Sequence, residues 1–384
     1  MMYSVNSYGK MIKDRVRMDT YLQALKQHIF PGAVVLDIGT GTGIHALMAC
    51  QLGAEKVYAI EPADAIELAR QIAAVNGYSD RIAFFQDLST NIDLPEPVDV
   101  IVSDLHGVLP WFFQHIPSIV DARQRFLKPG GVLLPQGSKV WGAIVEAPEL
   151  DYKYASPWQD APYGFDLTPA LKVSRNNCTK DRVTPEQLLS ARVAWAELDY
   201  RTIENPNVNN TFSLTAKRSG TAHGYLLWFD MYVTDDLQLK CSPDYPELMY
   251  GSAFFPLAEA VELKPGDALN LNIRADLVSK SQDYVWSWNT TLTRADRSQD
   301  PQVKFKQSTF FSELLKLETL RKRASNYVPS LNENGQADLF ILTSMKEQHT
   351  LEEIAQLVAA KFPNRYKHWH DALERVRELA AYYG

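Results

Sequence analysis

The chain has 384 residues, enough for two or three domains, and its 46% apolar and 22% charged residues exclude a disordered or fibrous protein. Its 39 basic and 46 acidic residues give a net charge of −7 without a basic block, which argues against a nucleic-acid partner. No apolar run reaches the roughly 18–20 residues of a membrane span, and residues 1–13 lack the apolar core of a signal peptide. The 3 isolated cysteines indicate a cytoplasmic protein without a metal site.

A glycine-rich turn follows the first apolar run, residues 34–38, and leads into a helical pattern from Ile44. Gly39, Gly41 and Gly43 let the backbone approach a ligand closely, and the turn presents that ligand to a helix N-terminus. About 20 residues further on, a second apolar run ends in Glu61, whose carboxylate can accept hydrogen bonds from a ribose diol. This spacing predicts a site for a ligand that contains a ribose.

The turn reads Gly-Thr-Gly-Thr-Gly after Asp37, and it therefore differs from the G-x-G-x-x-G of dinucleotide sites. It resembles motif I of the class I S-adenosylmethionine (SAM) methyltransferases. The resemblance implies an enzyme with S-adenosyl-L-methionine as its cofactor. A nucleotide site or a degenerate loop is the alternative.

Apolar runs and helical patterns alternate up to about residue 140. The runs cover residues 34–38, 57–60, 82–85, 98–102 and 132–134, and the helical patterns cover 44–52, 63–76 and 116–126. Such alternation predicts an α/β fold, a Rossmann-like doubly wound parallel sheet with the ligand at the carboxyl ends of its strands. We assign this SAM-binding domain to residues 1–138, and we expect residues 128–131 to form a turn before its last strand.

Strand-like runs dominate after Pro135, and they predict an antiparallel β-barrel or sandwich over residues 139–310. The runs cover residues 141–145, 193–195, 211–216, 224–233 and 268–273. A more helical stretch interrupts them at about 151–183. Three amphipathic helices at 338–345, 351–362 and 369–382 predict a small separate domain over residues 325–384.

Residues 11–21, with the run Lys-Asp-Arg-Val-Arg at 13–17, are similar to the helix that precedes the sheet in protein arginine methyltransferases. Further similarity runs through 103–107, 163–166, 223–230 and 266–288, so the resemblance covers about residues 3–310. In that family an arm of the barrel docks onto the SAM domain of a second subunit. The stretch 151–183 corresponds to this arm, and the resemblance implies a homodimer.

The resemblance also implies a set of cofactor-binding residues. Arg17 would hold the carboxylate of SAM, since a guanidinium fork suits a carboxylate. Asp37 would either face the amino group of SAM or hold the glycine loop, and Glu61 would bind the ribose hydroxyls. Asp87 or Ser89 would meet the adenine edge. The complete set is Arg17, Asp37, Gly39, Gly41, Gly43, Glu61, Asp87, Ser89 and Ser103.

The acceptor side departs from the family pattern, in which two glutamates of one loop hold the guanidinium of the substrate. Here the first position is Asp104, one methylene shorter, and the second is the apolar Phe113. The threonine-histidine-tryptophan loop of the family is assigned to residues 286–288, which would leave it without its histidine. A guanidinium held by one carboxylate would be poorly paired when desolvated, so the clearest reason for an arginine substrate is missing.

Aromatic side chains replace the second carboxylate, and they suit a planar or cationic acceptor. These are Trp111, Phe112, Phe113, Trp286 and Trp288, of which about half are expected to be packing residues. The catalytic set that we predict is Asp104, His106 and Trp288. Asp104, alone or with a His106 of near-neutral pKa, would deprotonate the acceptor.

These features predict an N-methyltransferase that acts on a small natural product or a ribosomal peptide in specialised metabolism. The alternatives are methylation of protein or free arginine, and a catalytically silent module that binds SAM or a peptide. The last domain resembles the PqqD-like winged-helix domains that present leader peptides to modifying enzymes, and Thr350 with Glu353 reads as a capping box. A degenerate appendage is the other interpretation of that domain.

Overall fold

The computed structural model describes residues 4–160, 162–278, 283–296, 303–314 and 316–384. The chain divides into two compact units, Met1–Leu314 and Leu315–Gly384. None of the described helices is both long and apolar enough to cross a membrane.

The first unit begins with an α/β region. Its helices are α1 (Val5–Lys13), α2 (Arg15–His28), α3 (Ile44–Gln51), α4 (Ala65–Val75) and α5 (His115–Arg125). Its strands are β1 (Val34–Ile38), β2 (Lys56–Ile60), β3 (Ile82–Phe85), β4 (Val98–Ser103) and β5 (Leu127–Leu134). The predicted apolar runs coincide with these strands because a strand covered on both faces needs apolar side chains throughout; every residue of β1 is buried.

The strands pair in parallel in the order β3-β2-β1-β4-β5. The strand order reverses beside β1, so the loops after β1 and β4 diverge and leave a crevice at their carboxyl ends. Gly39 follows β1 and Asp104 follows β4, which places both at this crevice. The predicted Rossmann-like sheet is confirmed.

Residues 128–131 do not form the turn that we expected before the last strand. They lie inside β5, where the register steps from Val98 paired with Leu127 to Val100 paired with Val132. The chain thus bulges opposite Asp99, and Gly130 takes a φ of 79° within the bulge. An edge strand tolerates this proline- and glycine-containing bulge because one side of β5 has no ladder to maintain.

An antiparallel β domain follows. Its strands are β6 (Gly137–Val145), β7 (Thr179–Asp181), β8 (Val193–Asp199), β9 (Val208–Thr215), β10 (Gly220–Tyr232), β11 (Gln238–Lys240), β12 (Ser252–Leu263), β13 (Ala268–Val278), β14 (Asp283–Thr293) and β15 (Lys304–Ser308). One sheet has the order β7-β12-β10-β6-β8, with β11 beside β10, and the other has the order β15-β14-β13-β9. The predicted antiparallel domain is confirmed, although none of the predicted strand-like runs covers β12, which contains Pro256.

The helical stretch between β6 and β8 consists of α6 (Pro148–Gln159) and α7 (Thr168–Ser174). Arg175 joins it to the β domain, because its guanidinium donates to the carbonyl of Ala258 and to Asp151. At its tip the side chains of Tyr163 and Phe165 are 96% and 67% exposed. The stretch is therefore a projecting arm with an aromatic end.

The second unit contains α8 (Leu317–Lys322), α9 (Glu333–Ser344), α10 (Leu351–Lys361) and α11 (Trp369–Tyr383). Ile341, Ile354 and Val376 lie in its small core. The predicted capping box is present, since the amide of Glu353 donates to Thr350 and the amide of Thr350 donates to Glu353. The described part of this unit contains no strand, so the wing of a winged helix has no counterpart there. The resemblance to PqqD-like domains stays a prediction.

Candidate active site

The glycine loop, residues 39–43, is held in place by the end of β2. The amides of Gly39 and Thr40 donate to the carbonyl of Ile60 over 2.8 and 2.9 Å. Gly41 has a φ of 54°, and a Cβ added there would lie 2.6 Å from Cε1 of Tyr8 in α1. A Cβ on Gly39 would collide with Leu105. Only glycine fits these positions, because both the backbone conformation and the space above it exclude a side chain.

Asp37 holds the loop against α3 with one of its two oxygens. Oδ2 accepts a hydrogen bond from the hydroxyl of Thr40 and one from the amide of Ala46. Oδ1 is buried, and no described residue hydrogen-bonds to it. Burial raises the pKa of Asp37 to about 7. One oxygen thus has the loop-holding role, and the other, 4.0 Å from Nδ1 of His45, has lone pairs left to accept from a donor.

Glu61 fastens the other side of the loop. Its Oε2 accepts from the amide of Gly41 over 3.0 Å and its Oε1 accepts from the amide of Ala63 over 2.9 Å. Burial raises the pKa of this carboxyl, although the two backbone amides oppose the shift. Each carboxylate oxygen has a further lone pair, so the geometry leaves room for the predicted ribose contact.

Arg17 and Asp104 form a buried ion pair across the crevice. Both Nε and Nη2 of Arg17 contact Oδ2 of Asp104, and each side chain is 7% exposed. Burial disfavours the charged guanidinium, but Asp104, Tyr250 and Tyr21 together outweigh this and raise the pKa of Arg17. Arg17, which we predicted to hold the carboxylate of SAM, is therefore bound to Asp104, which we predicted to act on the acceptor.

The β domain contributes Tyr250, which the sequence analysis missed. Its hydroxyl donates to Oδ1 of Asp104 over 2.9 Å, and its side chain is buried. The preceding amide, that of Met249, donates to Asp14, which also caps α2. A tyrosine in a turn between β11 and β12 carries no motif, so only the fold brings it to the crevice.

His106 does not have the near-neutral pKa that we expected. It is buried, its Nε2 lies 2.8 Å from the hydroxyl of Tyr200, and its ring stacks on Phe229. Burial, reinforced by His115 at a ring separation of 4.1 Å, lowers the pKa of His106 well below 6.5. The imidazole therefore stays neutral, and its geometry is that of a residue in the core behind Asp104.

Trp288 lies in the interior of the β domain and not in a loop. It is fully buried in the middle of β14, its indole N–H donates to the carbonyl of Pro256, and its ring packs edge-on against Phe255. The assignment of the threonine-histidine-tryptophan loop to residues 286–288 is therefore wrong. The alternation of buried and half-buried residues along β14 explains the Trp-Ser-Trp pattern as one face of a strand.

The remaining predicted cofactor residues divide into two groups. Asp87 is exposed, and its Oδ1 accepts from the amide of Leu88 and from Asn91, which closes a turn after β3. Ser89 and Ser103 are buried, and their hydroxyls have no hydrogen-bond partner in the described parts of the chain. One oxygen of Asp87 is thus used by its own loop, whereas the two serine hydroxyls have no partner among the described residues.

Phe113 occupies the place of the second glutamate in an unusual backbone conformation. Its φ is 41°, a region that L-residues avoid at a cost of about 1–2 kcal/mol. Its half-buried ring stands at 4.6 Å from Phe112, and Phe112 covers Gly107 so closely that no Cβ fits there. The acceptor loop is thus tightly packed around aromatic rings.

The residues at the crevice fit SAM chemically. They offer a guanidinium for a carboxylate, an unpartnered buried oxygen of Asp37 for an ammonium group and glycines where the ligand must approach the backbone. Gly43 is the N-cap of α3, and among the described residues no side chain caps this helix N-terminus.

Comparisons with known proteins place both domains of the first unit in methyltransferase families. Residues 19–151 match the family model of ribosomal protein L11 methyltransferase, and residues 138–293 match that of the arginine methyltransferase oligomerization subdomain. Protein arginine N-methyltransferase 6 of Danio rerio is 32% identical over 276 residues, which cover 67% of this chain and 78% of that protein. The chain belongs to the protein arginine N-methyltransferase family.

Other relatives match a similar share of this chain. Protein arginine N-methyltransferase 1 of Schizosaccharomyces pombe is 33% identical over 58% of this chain and 67% of its own length. A probable protein arginine N-methyltransferase 6 of Arabidopsis thaliana is 30% identical, but the chain spans only 54% of that relative. The structure of protein arginine methyltransferase 10 of Arabidopsis thaliana, solved in an open conformation, matches 79% of this chain and 97% of its own with a TM-score of 0.69 and 25% identity.

This membership confirms that the protein is a methyltransferase of the SAM-dependent class. It also favours methylation of arginine, the alternative to an acceptor from specialised metabolism, since the relatives named above are arginine N-methyltransferases.

Proposed function

We propose that this protein transfers a methyl group from SAM to a guanidinium nitrogen of an arginine in a protein or peptide. The observation that carries the proposal is Asp104, a buried carboxylate at the end of β4 that already binds a guanidinium, that of Arg17. Its geometry is thus suited to planar N–H donors. The relatives' substrate class supports the same acceptor.

Each residue of the crevice has a distinct role in this reaction. When bound, SAM supplies an electrophilic methyl group, so the protein mainly has to position the nucleophile and exclude water. Arg17 binds the donor carboxylate, Oδ1 of Asp37 accepts from the donor ammonium and Glu61 accepts from the ribose. Asp104 accepts a hydrogen bond from the acceptor nitrogen, orients it and takes up the proton that this nitrogen loses as it is methylated, while Tyr250 fixes the carboxylate.

A second candidate acceptor is an uncharged nitrogen of a small molecule or a modified peptide, as in specialised metabolism. Phe113 favours it, because a half-buried ring stands where a second carboxylate would balance the charge of a guanidinium. Desolvating a cation with one carboxylate is costly. A neutral aromatic nitrogen would not meet this cost and could stack on the ring.

Labelled SAM distinguishes the candidates. The protein is incubated with arginine-rich peptides and, separately, with a set of indoles and amines, and the products are hydrolysed and identified by mass spectrometry. Methylarginine supports the main proposal, and label on small molecules alone supports the second. Label on neither, with intact binding of S-adenosylhomocysteine, supports a silent binding module.

The arm supports a proposal of homodimers. Tyr152, Tyr163 and Phe165 are 67%, 96% and 67% exposed on it, an unusual concentration of aromatic surface for a monomer. Two-fold pairing would bury both arms in equivalent contacts. Light scattering of the wild type and of Tyr163→Ser with Phe165→Ser tests this, and a monomeric wild type would contradict it.

The second unit is proposed to bind a peptide. Its surface carries apolar side chains, with Leu331 54%, Leu339 55% and Leu357 42% exposed. An apolar helix surface can take a peptide in the helix-in-groove manner. Strand addition would require a sheet edge, which the described residues of this unit do not provide.

A further inference from the structure

The Arg17–Asp104 pair links the two halves of the reaction site. Arg17 uses Nε and Nη2 on Oδ2 of Asp104, while its Nη1 donates to the carbonyl of Met11. The guanidinium therefore contacts the neighbouring helix α1 with one nitrogen and Asp104, across the crevice, with the other two. On the opposite side of the carboxylate, Tyr250 donates to Oδ1.

In this arrangement both oxygens of Asp104 are already engaged by protein groups. The carboxylate is buried, and the positive charge of Arg17 balances its negative charge. An acceptor that binds there would bring another N–H group to oxygens that already have hydrogen-bond partners. If Arg17 turns away, Asp104 becomes a buried anion that is no longer paired. Such a group strongly favours a new N–H donor or cation.

We propose that Asp104 competes with the carboxylate of the methyl donor for Arg17, so that binding of the donor releases Asp104 to the acceptor. The inference rests on the proposed function, because it requires the donor carboxylate to bind Arg17. Arg17 is the exchanged group: it serves as an internal guanidinium that occupies the acceptor carboxylate until the donor is present. Donor and acceptor binding are then positively coupled, and the coupling must act equally in both directions.

Calorimetry with two ligands tests the competition without any acceptor. S-adenosylhomocysteine has the donor carboxylate but no sulfonium charge, so losing the charge of Asp104 removes no attraction to a sulfonium. 5′-Methylthioadenosine lacks the amino-acid portion and serves as the matched control. In Asp104→Asn the competing charge is gone, and we expect S-adenosylhomocysteine to bind about tenfold tighter, within the usual range of coupling between sites. The affinity for 5′-methylthioadenosine should not change.

A second variant should move the affinity in the opposite direction. Tyr250→Phe removes the hydroxyl that donates to Oδ1, so Asp104 depends more on its ion pair with Arg17. The donor carboxylate then displaces Asp104 from Arg17 less readily. We expect S-adenosylhomocysteine to bind roughly threefold to tenfold weaker to this variant, again with 5′-methylthioadenosine unaffected. Circular dichroism verifies that both variants are folded, and the Tyr250→Phe result decides the case if Asp104→Asn does not fold.

The outcomes separate this inference from the function on which it rests. Unchanged or weaker binding of S-adenosylhomocysteine to folded Asp104→Asn would overturn the competition while leaving a donor site intact. An equal change for both ligands would also overturn it, because the effect would not involve the carboxylate. Failure of the wild type to bind S-adenosylhomocysteine would instead remove the proposed function, and the inference with it.

Discussion

The hydroxyl of Tyr250 donates a hydrogen bond of 2.9 Å to Oδ1 of Asp104, although 146 residues separate the two in the chain. The β domain therefore completes a site that the parallel sheet begins. Because Met249 beside it is bonded to Asp14 at the start of α2, the same turn also fixes the helix that carries Arg17. The substrate-facing edge of the crevice depends on contact between the two domains of the first unit.

Substitution of Gly41 should impair binding of the cofactor more than it impairs folding. Gly41→Ala places a methyl group against the ring of Tyr8 where the ligand must approach, and we expect about tenfold weaker calorimetric binding of S-adenosylhomocysteine. Gly77→Ala is the matched control, because Gly77 also has a left-handed φ, 76°, but has open space around its Cβ position. Gly77→Ala should lose about 1 kcal/mol of stability, and Gly41→Ala should lose at least as much because its methyl group also meets the ring of Tyr8. Equal losses of affinity would refute a special role for the loop.

Asp37 should make the stability of the protein pH-dependent. Its pKa is raised by burial from 3.8 to about 7, so between these values the folded protein retains a proton that the unfolded chain releases. The unfolded state then binds fewer protons, and the free energy of unfolding falls as pH rises through this window. Asp37→Asn lacks this contribution to the pH dependence of stability. Its stability relative to the wild type should rise by a few kcal/mol at most between about pH 4 and about pH 7, as measured by urea unfolding. Parallel curves for the two proteins would contradict the assignment.

His106 and His115 should remain neutral through the physiological range. Burial lowers the pKa of His115 to about 4 and that of His106 well below 6.5. Their imidazole NMR resonances should therefore be constant from about pH 5.5 to about pH 8. The His106→Gln and His115→Gln variants assign the two signals. A pH–rate inflection near 6.5 that disappears in His106→Gln would show that the imidazole titrates during catalysis.

Phe113 should control how well a cationic acceptor is used. Phe113→Glu restores a carboxylate at the position where the family pattern has its second glutamate, and we expect kcat/KM for an arginine-rich peptide to rise about tenfold or more, since paired carboxylates suit a guanidinium. Phe113→Gln has a similar length without the charge and should give little gain. If the glutamine variant performs as well as the glutamate variant, the size of the phenyl ring and not its lack of charge limits the reaction.

The local part of the cofactor site was readable from the sequence. An apolar run, a Gly-Thr-Gly-Thr-Gly turn and a carboxylate after the next strand specify one strand–turn–helix unit, and the structure brings Gly41 and Glu61 into direct hydrogen-bond contact. Buried parallel strands need continuous apolar residues, which gives them a clear signal. The bulge in β5 was missed because proline and glycine mark turns and bulges alike.

The errors concern residues whose roles depend on distant partners. His106 follows the same strand as Asp104, but the packing of Phe229 and Tyr200 from the β domain turns it into a neutral core residue. Trp288 was assigned to a loop because the sequence Trp-Ser-Trp fits a short aromatic motif and also a strand whose side chains alternate between two faces. Neither error could be detected locally, since burial is a property of the whole fold.

The sequence by itself determined the α/β and antiparallel β architecture and the glycine loop with its flanking carboxylates, because these arise from interactions between residues close in the chain. The tertiary structure alone decided that Arg17 and Asp104, 87 residues apart, bind each other, and that Tyr250 holds the remaining oxygen. Ion pairs and hydrogen bonds of this kind form only when separate strands, helices and turns meet, and no spacing along the chain encodes that meeting.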